Sequence, residues 1–107
     1  MVWRVELLDH RVEKEFEALS DELKASFFHV VDLLAEFGPV HVGAPYVKSL
    51  GKKLFEIRMH GSDGIARAIY ITATGERIVV VHVFVKKTQK TPNDAIELAR
   101  KRAKEVR

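Results

Sequence analysis

The chain contains no cysteine, and it has no apolar run long enough to span a bilayer. The absence of cysteine excludes disulfide bonds and thiolate metal sites. A membrane-spanning helix needs about 20 consecutive apolar residues, and the charged residues Arg4 and Glu6 are unlike the start of a secretory signal. We therefore expect a cytoplasmic protein that does not bind a membrane.

Common motifs of nucleotide-binding sites, metal sites and serine hydrolases are also missing. The sequence has no glycine-rich phosphate loop, no HExxH or His-x-x-x-His spacing, and no G-x-S-x-G element. Its five histidines are scattered along the chain. We therefore expect function to need neither a metal ion nor an organic cofactor.

Length and composition predict one domain with an uneven charge distribution. The 107 residues are 47% hydrophobic and 31% charged, which is typical of a globular chain with a single core. Residues 1–40 carry four Lys or Arg against nine Asp or Glu, a net charge of −5. Residues 41–107 carry fourteen against six, a net charge of +8. The basic part favours a working face for an anionic partner, with solvated surface charge as the alternative.

The first forty residues predict a short strand and two helices. Residues 2–8 alternate loosely, as a strand does. Asp9 and Ser20 are suited to cap two helices whose apolar residues recur at helical spacing, and Gly38-Pro39 ends the second helix. Two helices joined so closely form a hairpin whose apolar face needs a sheet to cover it.

The rest of the chain predicts a loop, a three-stranded antiparallel meander and a final helix. A lysine-rich loop is expected at residues 41–53. The three strands are expected at residues 54–59, 65–72 and 77–87. Thr91 as N-cap and Pro92 at the next position begin the last helix. The order strand, two helices, three strands and helix predicts an α+β fold with a mostly antiparallel sheet.

Cationic side chains lie at matching ends of the three strands. Arg58 ends the first strand of the meander and Arg67 begins the second. Lys86 and Lys87 end the third. In an antiparallel meander these three ends lie at the same edge, so we expect the four side chains to converge there.

Strand alternation assigns the last residues of the third strand to opposite faces. Lys86 is expected to share a face with Ile78, Val80 and His82, whereas Lys87 points the other way. An imidazole within an apolar strand is typical of a hydrogen-bonded core residue, and acid–base catalysis is the alternative for His82.

Arg67 shares its strand face with Ile65 and Ile69. A guanidinium in apolar surroundings must either pair with an acid or face a ligand. Glu56, in the preceding strand, is the candidate acid. Both interpretations of Arg67 stay open. For the lysines that end the third strand, the alternative to ligand binding is that their charge prevents the sheet edge from pairing with another chain.

Three segments carry a resemblance to a known family. They are KSLGKKLFEIR at Lys48–Arg58, RAIYI at Arg67–Ile71 and VVVHVFVKKTQKTP at Val79–Pro92. With these segments in this order, the chain resembles the RelE/ParE superfamily of toxins, and more closely its phage-derived, HigB-like branch. The resemblance covers essentially all of residues 1–107 as one domain, and it implies a small curved sheet flanked by helices.

The resemblance implies an mRNA interferase, the toxin of a type II toxin–antitoxin system. Such toxins enter the ribosomal A site and cut the message there, and a cognate helix-turn-helix antitoxin neutralises them. Carried onto this sequence, the catalytic residues that hold the scissile phosphate are Arg58, Arg67, Lys86 and Lys87. The auxiliary RNA contacts implied in the same way are Lys48, Lys52, Lys53, Gln89 and Lys90.

One departure from the family pattern concerns proton transfer. Many relatives have a tyrosine or histidine near the C-terminus, and this chain has neither after His82. A lysine, His82 or Glu56 would then have to move the protons. The nucleophile itself need not come from the protein, because in metal-free RNA cleavage the neighbouring 2′-hydroxyl attacks the phosphate.

Two other functions are compatible with the same fold, because one scaffold hosts several activities. The first is a ParE-like toxin that binds DNA gyrase and needs no converging basic site. The second is a non-catalytic module that binds RNA or protein.

Overall fold

Five strands and three helices make up the part of the chain that the computed structural model describes, residues 2–62, 64–86 and 90–107. The strands are β1 (Arg4–Leu7), β2 (Val47–Gly51), β3 (Leu54–Gly61), β4 (Gly64–Ala73) and β5 (Arg77–Lys86). The helices are α1 (His10–Glu17), α2 (Asp21–Phe37) and α3 (Asn93–Ala103). Among these described helices, none has the length and apolar character needed to cross a membrane.

The strands form one sheet in the order β1-β5-β4-β3-β2. β1 runs parallel to β5, and every other neighbouring pair is antiparallel. The predicted α+β class and the antiparallel meander of β3, β4 and β5 are therefore confirmed.

The ends of α1 and α2 follow from their capping residues. The side chains of Asp9 and Ser20 accept hydrogen bonds from backbone N–H groups in the first turns of α1 and α2, as predicted. Gly38 ends α2 with a φ of 81°, and a Cβ at this position would lie 3.0 Å from Trp3 Nε1. Both the backbone conformation and the close approach of the indole ring therefore require glycine there.

The sheet separates two hydrophobic cores. α1 and α2 cover one face, where Phe16, Phe27 and Leu34 pack against Ile57 and Tyr70. The helix α3 covers the other face, which we call the α3 face, where its Ala99 packs against alternate residues of β3, β4 and β5, namely Leu54, Ile69, Val79 and Val81. Because β5 is covered on both sides, its near-continuous apolar sequence is explained.

The segment 41–53, predicted as a loop, contains strand β2. Val47 pairs with Ile57 and Lys48 with Glu56. β2 is an edge strand in which only Val47 is buried, so its exposed residues are polar and carry no alternating apolar pattern. The prediction of a loop was wrong for this reason, and Lys48 lies on a strand.

A β-bulge in β5 changes the predicted face of Lys86. Tyr70 pairs with Val80, whereas the preceding residue Ile69 pairs with His82, so Val81 is the extra residue. The alternation therefore reverses at the bulge. Lys86 shares the α3 face with His82 as predicted, but not with Ile78 or Val80, which belong to the core under α1 and α2.

The start of α3 also differs from the prediction. Pro92 is the N-cap residue, and no side chain caps the helix with a hydrogen bond. The hydroxyl of Thr91 donates instead to Glu56 Oε1, at 2.5 Å. A buried carboxylate that lacks a hydrogen-bond donor costs more free energy than uncapped N–H groups at a helix end on the surface, which can bind water. This difference explains why the Thr91 hydroxyl donates to Glu56.

Candidate functional site

Strand register places four cations on the α3 face at one end of the sheet. Arg58 of β3 pairs with Arg67 of β4, and Ile65 of β4 pairs with Lys86 of β5. Lys48 of β2 pairs with Glu56 of β3. We refer to Lys48, Arg58, Arg67 and Lys86, together with Glu56, as the cation cluster. The predicted convergence of Arg58, Arg67 and Lys86 is present in the structure.

Glu56 lies at the centre of the cation cluster. Its side chain is 1% exposed, and its Oε2 lies 3.7 Å from Arg67 Nε and 3.8 Å from Arg58 Nε. The hydroxyl of Thr91 donates to the other carboxylate oxygen. Glu56 is therefore the acid that pairs with Arg67, one of the two interpretations that the sequence left open.

Arg67 is buried and only partly satisfied. The residue is 1% exposed, and its Nη1 donates to the carbonyl of Ala66 at 2.9 Å. Among the residues that the structure describes, its Nε has no hydrogen-bond acceptor. Burial lowers the pKa of Arg67, Glu56 opposes this shift, and the charge of Arg58 adds to it. The guanidinium thus contributes positive charge from below the surface.

Lys86 is a buried lysine whose pKa is lowered by its surroundings. It is 4% exposed. Burial lowers its pKa, and the positive charges of Arg67, Arg58 and Lys48 lower it further, against the opposing effect of Glu56. A larger fraction of Lys86 is therefore the neutral amine at a given pH than for a lysine in water.

Arg58 brings the cluster to the surface. Its side chain is 27% exposed, far more than those of Glu56 and Arg67. Its buried Nε also lacks a hydrogen-bond acceptor within the described residues. A guanidinium that is partly exposed and incompletely paired can present forked N–H donors to an anion.

The predicted RNA contacts fall into two groups. Lys48 and Lys90 are exposed near the cation cluster, the former beside Glu56 and the latter next to Thr91. Lys52 and Lys53 lie in the β2–β3 turn, at the opposite end of the sheet. Lys87 and Gln89 lie outside the described residues.

His82 is held outside the cation cluster. Its Nδ1 lies 3.0 Å from Glu15 Oε1, and its ring stacks on Phe84 with centroids 4.9 Å apart. Register separates it from Glu56 by two strand spacings, roughly 10 Å, because both residues pair with Ile69. His82 is therefore hydrogen-bonded to Glu15 and lies outside the cation cluster.

Glu15 and Arg102 are polar residues that the sequence did not single out. Glu15 accepts hydrogen bonds from the Val83 backbone N–H at 3.0 Å and from Arg102 Nη1 at 2.9 Å. Arg102 also donates to the carbonyl of Val81 at 3.0 Å. These contacts satisfy backbone groups of β5 beyond the end of β1, which pairs only as far as Val80.

Comparison with known structures identifies the fold. The chain is similar to a variant of the toxin RelE of Escherichia coli in the free state, with a TM-score of 0.65, 18% identity and 99% of each chain covered. It is also similar to the archaeal RelE of a RelE–RelB complex from Pyrococcus horikoshii OT3, with a TM-score of 0.56 and 24% identity over 79% of this chain and 96% of that chain. The fold is therefore that of the RelE toxins.

The family is shown by sequence. The chain belongs to the family described as phage-derived protein Gp49-like (DUF891), which matches residues 14–104. No curated protein matches the chain. The predicted membership of the RelE superfamily is confirmed by this family match together with the fold.

Proposed function

We propose that the chain is the toxin of a type II toxin–antitoxin system and that it acts as a ribosome-dependent mRNA endoribonuclease. In this proposal residues 1–107 form one toxin domain in the cytoplasm. Cleavage uses the 2′-hydroxyl next to the scissile phosphate and needs no metal ion. The products are a 2′,3′-cyclic phosphate, or its hydrolysis product, and a downstream fragment with a 5′-hydroxyl.

The observation that carries the proposal is the excess of positive charge in the cation cluster. Four cations surround the single carboxylate of Glu56, and two of them, Arg58 and Arg67, have an Nε without an acceptor among the described residues. Buried polar groups are normally satisfied, so unsatisfied donors beside excess charge favour an anionic ligand. A phosphate in RNA supplies the negative charge that the cluster lacks, and the exposed part of Arg58 can donate to its oxygens.

The exposure of each side chain determines its proposed role. Arg58 contacts the scissile phosphate directly, because it is more exposed than the two other cations of the meander, Arg67 and Lys86. Arg67 stabilises the developing negative charge from below the surface, and Lys86, once it has accepted the proton, and Lys87 add their positive charge. The RNA on either side is held by Lys48, Gln89 and Lys90.

Removal of the proton from the attacking 2′-hydroxyl is assigned to Lys86, and the leaving 5′-oxygen takes its proton from water. Its lowered pKa makes the neutral amine more available as a base for the 2′-hydroxyl than that of a solvated lysine. Glu56 is a weaker candidate because its carboxylate is engaged by Thr91 and two arginines. His82 is a weaker candidate because Glu15 holds it away from the cluster.

The proposed protein partner is a cognate antitoxin of the helix-turn-helix type. The similar archaeal RelE was solved in a complex with RelB. An antitoxin that covers the cation cluster would have to present acidic side chains to it.

RNA binding without cleavage is the second candidate. The described part of the cation cluster contains no histidine or tyrosine, the side chains that most often transfer protons near neutral pH. Under this alternative, the chain binds RNA and slows translation without breaking the message.

Induced expression of the chain in a bacterium, followed by mapping of RNA 5′ ends, tests the proposal. We expect breaks in register with codons inside translated messages, and we expect Arg58→Ala to reduce them by about 10²–10³-fold, as for loss of one transition-state donor. Lys101→Ala, an exposed cation on α3, is the matched control. Growth arrest with intact messages would support a protein target or the binding-only candidate instead.

A further inference from the structure

A basic groove lies at the end of the α3 face opposite the cation cluster. Its floor is formed by apolar residues of β3 and β4, including Leu54 and Ile71. Lys52 and Lys53 of the β2–β3 turn form one wall, and α3 forms the other. The cavity has a volume of about 290 Å³. We call this cavity the basic groove, and its cationic residues are Lys52, Lys53, Arg100 and Lys104.

The turn that carries two of these lysines is strained. Gly51 pairs with Leu54, so Lys52 and Lys53 are the two central residues of the hairpin. Their φ angles are 49° and 70°. Hairpins with positive φ at both central residues strongly favour Asn-Gly, because a Cβ lies too close to the backbone carbonyl oxygen in the left-handed region, where glycine has no Cβ and asparagine is best tolerated. Residues kept in such a conformation are concentrated at functional sites.

The four cations of the basic groove are available to a ligand. Lys52, Lys53 and Lys104 are exposed and Arg100 is half-buried. No ion pair joins any of them to an acidic side chain in the described part of the chain. Basic residues at the end of α3 stabilise its dipole, but this does not explain two lysines in the unfavourable conformation of the turn.

The basic groove and the cation cluster lie along the same strands. Leu54 is four residues from Arg58 on β3, and Ile71 is four residues from Arg67 on β4. At about 3.3 Å per residue the two sites are roughly 13 Å apart. Between the sites, β3 and β4 are buried, but the neighbouring edge strand β2 is exposed at Lys48 and Ser49. One extended polyanion can therefore follow this edge from one site to the other.

We propose that the basic groove is a second anion-binding site, which binds the phosphodiester backbone of single-stranded RNA. The identity of the ligand as RNA rests on the proposed function, whereas binding in the groove does not require cleavage. The lysine ammonium groups contact phosphates, and the apolar floor of Leu54 and Ile71 accommodates the uncharged parts of the nucleotides.

The test replaces the turn by the residues that its geometry favours, Lys52→Asn with Lys53→Gly. Because Asn-Gly fits the positive φ angles, the variant should have an unchanged or higher Tm, which excludes misfolding as the cause of weaker binding. The probe is a fluorescent, 2′-O-methylated single-stranded RNA, which cannot be cut through its 2′-hydroxyl. Loss of two phosphate contacts should reduce the slope of log K against log salt by about 1.4.

The matched control is Lys14→Asn with Lys101→Gln, which removes two exposed cations that do not line the groove. Weaker binding and a smaller salt slope for the turn variant alone support the proposal, even for a protein that never cuts RNA on the ribosome. Equal binding by the turn variant and the control would overturn it. No binding of the probe, or preferential binding of a polyglutamate peptide, would overturn it as well.

Discussion

Glu56 provides the negative charge that compensates the buried cations of the cation cluster. Its carboxylate is fully buried and accepts a hydrogen bond from Thr91 while it lies close to two guanidinium groups. Without this negative charge, Arg67 would be a buried cation whose hydrogen-bond acceptor among the described residues is the carbonyl of Ala66. The cost of an uncompensated buried charge is several kcal/mol, more than the worth of a surface ion pair.

Substitution of Glu56 by glutamine should therefore destabilise the protein. The amide keeps the volume and can still accept from Thr91, but it no longer neutralises Arg67. We expect a loss of about 3 kcal/mol in the free energy of unfolding, measured by urea denaturation. Glu97→Gln, an exposed site on α3, should change it by less than about 0.5 kcal/mol. Equal stability of the two variants would contradict the central position of Glu56.

Lys86 should make the stability of the protein depend on pH. Its pKa is lowered in the folded state from an ordinary value of 10.5. Between the folded-state pKa and 10.5, the unfolded chain therefore binds more protons, so stability rises with pH in this window. Lys86→Met should abolish the rise, whereas Lys101→Met should keep it. Urea denaturation at several pH values below 10 measures this, and an identical pH profile for Lys86→Met would contradict the assignment.

Tyr70 affects stability in the opposite direction at higher pH. Burial raises its pKa from 10.0 to about 12, so the unfolded chain loses its proton first and stability falls as pH rises between these values. Its hydroxyl also has no hydrogen-bond partner among the described residues. We expect Tyr70→Phe to raise the free energy of unfolding by about 1 kcal/mol and to remove this alkaline loss. Tyr46→Phe, at a more exposed site, is the control.

At the scale of the elements, α3 is joined to α1 through Glu15. Arg102 of α3 donates to both Glu15 oxygens and to the carbonyl of Val81 in β5. Glu15 in turn accepts from the backbone N–H of Val83. The contact therefore connects two helices on opposite faces of the sheet across the part of β5 that extends beyond β1.

Removal of the Arg102 guanidinium should weaken the packing of α3 against the rest of the fold. Arg102→Met leaves Glu15 and the Val81 carbonyl with fewer donors, and we expect a loss of about 2 kcal/mol in stability. Hydrogen exchange of the α3 amides should increase more than that of the α2 amides. The exposed neighbour provides the control, Lys101→Met. If α3 exchanges equally in both variants, the contact does not hold the helix.

The sequence predicted the elements whose pattern is strong. The apolar alternation of β3, the caps of α1 and α2 and the glycine at the end of α2 could all be recognised, because each is a local property of a few residues. Strand β2 could not, because an exposed edge strand with one buried residue carries no apolar period. The bulge at Val81 was also hidden, since nothing in a run of valines marks the extra residue.

The candidate site was predictable in position but not in detail. Strand order alone brings Arg58, Arg67 and Lys86 to one edge. The exposure of each side chain depends on how Thr91 and the start of α3 cover the cluster, which follows from tertiary packing. Two hypotheses for Arg67 were open for this reason, and only the structure shows the buried contact with Glu56.

At the scale of the whole molecule, the α3 face combines the two basic sites. The cation cluster and the basic groove lie at opposite ends of β3 and β4, and the acidic excess of residues 1–40 belongs largely to α1 and α2 on the other face. This polarity favours approach of a polyanion to the α3 face and away from the helical face. RNA association should therefore weaken steeply as salt concentration rises.

The most direct test of the proposed function is the chemistry of the cut ends. Purified protein would be added to ribosomes translating a defined message, and the ends of the RNA fragments would be determined chemically. We predict a 5′-hydroxyl on the downstream fragment and a 2′,3′-cyclic phosphate, or its hydrolysis product, on the upstream one. The cuts should occur only in translated RNA and fall sharply with Arg58→Ala. Intact RNA, or equal cutting by Arg58→Ala, would contradict the assignment of the cation cluster as the site of RNA cleavage.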